Sequence, residues 1–161
     1  MALIVLMSLV AFASRGQGNR VNGLTIAQAQ WQLDDYVRES MAALPAAARL
    51  GPLIGDSGPI PCDDSDGALP TSPASAQVDN WVTGLPPSGN AEYFDMFVAY
   101  WTSKGWRIDF DERPKFNNVG IVNSADYSLS LATTLDGLNL SIGGSSACAS
   151  REPPETPSGS L

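Results

Sequence analysis

The chain has 161 residues and a hydrophobic fraction of 43%, enough for one domain with a real core once irregular ends are set aside. Nine basic against seventeen acidic residues leave a net charge of −8, the wrong sign for neutralising phosphates, so nucleic acid is not expected as a partner. Histidine is absent, which excludes any imidazole-based triad or metal site.

Residues 2 to 13, "ALIVLMSLVAFA", form an apolar run shorter than the roughly 20 residues a membrane span needs but suited to a signal-peptide core. It closes on Ala11-Phe12-Ala13, an A-x-A pattern with cleavage expected before Ser14. The basic residues that should precede such a core are missing, and Arg15 and Arg20 follow it instead. The expectation is therefore a signal or N-terminal anchor segment with its spacer over 1–24, with Met1 lying inside a longer segment. Cleavage and retention as an anchor are both open.

Thr25 can cap a helix from about Ile26 to Leu44. Ile26, Ala29, Leu33, Val37, Met41 and Leu44 make one apolar stripe, and Pro45 ends the element. Residues 48–54 read as a weak edge strand, and 55–75 as irregular loop rich in Gly, Pro, Ser and Asp. Within that loop "CDDSDG" resembles the start of a calcium loop. With Gly67 as the sixth residue, Asp64 and Asp66 take positions three and five, but Cys62 and Pro73 stand where ligands are needed. Asp63, Asp64 and Asp66 are thus expected to be solvated loop residues, and no metal or cofactor is expected.

"QVDNWVT", Gln77 to Thr83, reads as a strand, and a second helix follows from about Ala91 to Lys104, capped by Ser88 or Asn90 and stopped by Gly105. Phe94, Phe97, Val98 and Trp101 form its stripe. In "WRIDFDE" the apolar Trp106, Ile108 and Phe110 alternate with Arg107, Asp109 and Asp111, the period of a half-buried strand. Val119–Val122 is a further short strand. Tyr127, Leu129 and Leu131, an Asp136-Gly137 turn, then Leu138, Leu140 and Ile142 read as a hairpin. This order predicts an α+β domain over 25–150: an antiparallel sheet of four to six strands with two helices on one face. Arg107, Asp109, Asp111, Ser128, Ser130, Asn139 and Ser141 would lie on the wet face. Residues 151–161 have the composition of a disordered tail.

Cys62 and Cys148 are far apart and form no C-x-x-C, so one disulfide in an exported domain is the simplest reading, with two buried thiols as the alternative. No catalytic residue emerges. Asp109 and Asp111, about 7 Å apart on one strand face, could serve a histidine-free hydrolase, but a polar surface pair is the plainer reading. Ser128, Ser130 and Ser141 have no base to activate them. Tyr93, Phe97, Tyr100 and Trp101 belong to an aromatic cluster that is either core or the wall of an apolar, lipid-binding cleft. The leading functional expectation is a non-catalytic cell-envelope module, extracellular or outside the cytoplasmic membrane, whose partner is an envelope protein or an apolar small molecule.

Tyr36–Leu44, Pro61-Cys62-Asp63-Asp64, "YWTSKGWRI" and "LDGLNLSI" leading to Cys148 together resemble small exported or lipid-anchored actinobacterial proteins. The resemblance spans roughly residues 25–150 and implies an envelope location and a single bridged α+β domain, with no catalytic residue to carry over. An acylatable N-terminal cysteine is missing, which departs from the lipid-anchored members.

Overall fold

The computed structural model describes residues 23–55, 58–62 and 71–151. The apolar N-terminal run, Asp63, Asp64 and Asp66, and the tail beyond Arg151 lie outside the described residues.

Helix α1, Ile26–Ser40, begins with a capping box in which the Thr25 hydroxyl accepts from the Gln28 backbone N–H and the Gln28 side chain accepts from the Thr25 N–H. It tightens into a 3-10 turn, Met41–Ala43, before Pro45. Ala29, Leu33 and Val37 are buried, as the stripe requires. Strand β1, Arg49–Leu53, is followed by a two-residue ladder of β2, Ile60–Pro61, with β3, Ala74–Ser75. That small sheet lies inside the segment read as loop; two residues per strand leave no periodicity to detect.

Strand β4, Gln77–Thr83, leads through a 3-10 turn, Pro87–Gly89, into α2, Asn90–Ser103. Four further strands follow: β5 Arg107–Asp111, β6 Asn118–Val122, β7 Ser128–Thr133 and β8 Leu140–Ser145. With β1 and β4 they form one antiparallel sheet of six strands in the order β1-β4-β8-β7-β6-β5. Both helices cover one face, α1 over β4 and β8, α2 over β5, β6 and β7. The core is α+β in construction, with Leu33, Val37, Phe94, Phe97 and Trp101 packed on Val119, Ile121, Leu129, Leu131 and Ile142.

Three local expectations are corrected. Phe110 does not share a face with Ile108, because a bulge between them shifts the register: Ile108 opposes Ile121 on the helix side, whereas Phe110 opposes Gly120 on the open side. Both side chains are exposed, and Asp111 swings to the helix side opposite Val119. Leu138 is not a strand residue. The hairpin closes at Thr134 N–H to Asn139 O, 2.9 Å, which leaves Leu135–Leu138 as a four-residue loop. Finally, neither Ser88 nor Asn90 caps α2, whose N-cap is Gly89 without a side-chain bond.

Cys62 and Cys148 form a disulfide across 86 positions. It pins the β2–β3 ladder to the segment that continues β8, where Ser146 N–H donates to Ala76 O and Ala149 pairs with Ala74. Ser150 bridges Thr25. The described body is therefore entered at Gly23 and left at Arg151 at the same end of the molecule. The α2 N-terminus, the β5–β6 loop and the β7–β8 turn gather at the other end. From Leu140 to Ser150 the extended chain covers roughly 30 Å along this axis.

Candidate functional site

The loop end carries the most distinctive surface. The β7–β8 turn is held by a dense set of bonds: Gly137 N–H to Thr134 O at 2.8 Å, Leu138 N–H to Asp136 Oδ1 at 3.0 Å, Asn139 N–H to Thr134 Oγ1 at 3.1 Å, and Thr134 Oγ1 to Asp136 Oδ1. These bonds, the Thr134 hydroxyl first, hold the Asp136 carboxyl below the usual carboxylate range. Gly137 adopts φ +71°, a backbone conformation that favours glycine. Asn90 Nδ2 donates to Gly137 O at 2.9 Å and ties the turn to α2. The rigid turn presents leucines to solvent: Leu135 is 101% and Leu138 64% exposed, with Phe116 of the neighbouring loop at 48%.

Beside the turn, the Arg113 guanidinium lies 5.6 Å over the Phe94 ring. It donates to Asp111 at 2.9 and 2.6 Å and to Asp95 at 2.8 Å. Arg113 is thereby raised further above its ordinary value, and its hydrogen bonds hold the Asp111 carboxyl below the usual range. A groove of about 570 Å³ opens here between Pro87, Asn90 and Ala91 on one side and Arg113, Pro114 and Asn117 on the other. A second groove of about 290 Å³, lined by Phe116, Asn118, Thr133 and Leu135, adjoins it at Asn117.

Asp109 and Asp111 do not make a matched pair of carboxylates. The bulge breaks their common face, and Asp111 is a clamped anion rather than a proton donor. Ser128 and Ser145 hydroxyls share a hydrogen bond of 2.7 Å on the open face. Asp79 also borders that face; burial pushes its carboxyl up, opposed by a backbone bond at Asn80. Among the described residues no group of three or more acidic or cysteine side chains could hold a metal ion.

The aromatic cluster fills the helix–sheet interface. Tyr93, Phe97 and Trp101 are buried, and Trp101 sits edge-on to Tyr36 at 5.9 Å and 4.6 Å from Trp106. Tyr100 is half-buried and donates to Glu39 Oε1, which Lys104 also contacts. Both sheet edges are blunted, β1 by Pro52 and a register shift, β5 by its bulge and three charged residues, which disfavours strand addition. No helix among the described residues is long and apolar enough to cross a membrane.

Comparison with family models, curated proteins and solved structures finds no match to this chain. Any functional assignment therefore rests on its own residues and geometry.

Proposed function

We propose that this chain is a non-catalytic, exported envelope module and that it binds through its loop end. The disulfide is the observation that carries the export half, since such bonds persist in oxidising compartments and this one fastens the β2–β3 ladder to the segment after β8. The binding half is supported by the turn over Thr134–Asn139. Its hydrogen bonds fix a conformation whose outward side chains are leucines, a preorganised apolar surface that lowers the entropic cost of docking. It lies at the end of the described body opposite Gly23 and Arg151. Asp111, held as an anion by Arg113, offers no general acid, and the chain has no histidine to activate its serines.

Fractionation of an actinobacterial host, combined with non-reducing peptide mapping, tests this reading. Recovery outside the cytoplasm with a Cys62–Cys148 cross-linked peptide is the expected result. Cytoplasmic protein with two free thiols contradicts it.

A further inference from the structure

We infer that the groove at the loop end takes a neutral, hydroxyl-rich ligand, a glycan chain of the envelope; this rests on the binding-module reading above. The volume of about 570 Å³ falls within the usual range for small-ligand sites. Its charge has already been balanced internally. Within this groove the lining cation is Arg113, which spends three donors on Asp111 and Asp95, so a phosphate or carboxylate meets no unpaired cation there, and the chain's net charge of −8 repels anions at longer range.

What the groove offers instead is a mixture. The guanidinium has five N–H donors and keeps two beyond the three already used, the Asp111 carboxylate keeps free lone pairs, and the Asn117 amide supplies both kinds of group. A hydroxyl both donates and accepts, so a polyol matches such a wall where a purely anionic, cationic or apolar ligand does not. Pro87, Ala91 and Pro114 supply the apolar surface against which the C–H face of a sugar ring can rest. The adjoining groove brings in the exposed ring of Phe116, with Lys115 Nζ 5.1 Å over it, and one charge of each sign from Glu112 and Lys115, so the site extends beyond a single ring.

The test is a titration of the isotopically labelled, disulfide-bonded protein, followed through its amide resonances. The probes are chitotetraose, maltotetraose and soluble neutral fragments of host wall polysaccharide, with inorganic phosphate and spermidine as charged controls. Saturable shifts at Ala91, Asn117 and Gly137 with an oligosaccharide are expected, with Kd on the order of 1 mM for so open a site. Asn117→Ala removes an exposed amide, and Ala91→Trp fills the groove from an exposed helix position; both should weaken binding about tenfold or more while leaving thermal stability unchanged. Shifts at these residues with phosphate or spermidine but not sugar overturn the proposal. So does the absence of saturable shifts with every sugar at about 10 mM. Retention on envelope material that is indifferent to Ala91→Trp also overturns it, while leaving the binding-module reading in place.

Discussion

The indole N–H of Trp101 donates to Ser40 Oγ at 3.1 Å, and Ser40 Oγ donates in turn to the Tyr36 carbonyl at 2.9 Å. This relay joins the C-terminal parts of α1 and α2 inside the core, where both Trp101 and Ser40 are buried. Ser40→Ala leaves the indole N–H without its partner and should cost about 1–3 kcal/mol in urea unfolding. A cost near zero would mean that the pair contributes no net stability.

The disulfide closes a loop of 86 positions, for which the chain-entropy relation gives about 4–5 kcal/mol as an upper figure. The double variant Cys62→Ser/Cys148→Ser should unfold at a markedly lower urea concentration. An unchanged midpoint would show that the bond constrains little of the unfolded chain.

Thr133 Oγ1 is buried and finds no hydrogen-bond partner among the described residues. Thr133→Val keeps the shape and removes the orphaned hydroxyl, so a gain of about 1 kcal/mol is expected from the same denaturation measurement. Gly144 is the converse case. A Cβ there would stand 2.8 Å from Ser128 O and 2.9 Å from Leu33 Cδ1, so Gly144→Val should destabilise by about 1–3 kcal/mol through strain against α1.

Two aspartates should give opposite pH dependences. Asp79 has its carboxyl raised by burial, so the folded state holds the proton longer than the unfolded one, and stability is lost as pH rises from the unfolded towards the folded value. Asp111 is lowered, first by its hydrogen bond to Arg113, so its contribution is present above the unfolded value and is lost as pH falls. Urea midpoints measured from about pH 3 to pH 7 should therefore lose part of their alkaline-side decline in Asp79→Asn and part of their acid-side decline in Asp111→Asn. Identical profiles in wild type and both variants would contradict these assignments.

Much of the fold was legible because its signals are local. Thr25 marks the start of α1, Gly105 with φ +85° marks the end of α2, and every second residue of Gln77–Thr83 is buried. The β5 bulge was not legible: the alternation in "WRIDFD" runs straight through it, and the only hint is Gly120 on the neighbouring strand, where a Cβ would strike the Phe110 ring at 2.2 Å. The Asp136-Gly137 pair suggested a two-residue turn, but side-chain bonds from Thr134 and Asp136 widened it and expelled Leu138. The loop-end groove lay beyond sequence reasoning altogether, because Asn90 at the start of α2, Arg113 in the β5–β6 loop and Gly137 in the β7–β8 turn become neighbours only in the folded chain.

Co-sedimentation of the purified, oxidised protein with isolated envelope fractions tests binding through the loop end most directly. Wild type should be retained, Leu135→Asp/Leu138→Asp should be released at unchanged stability, and Trp31→Asp, altering an exposed residue on α1, should be retained like wild type. Wild type that fails to co-sediment, or a double variant retained as well as wild type, would contradict it.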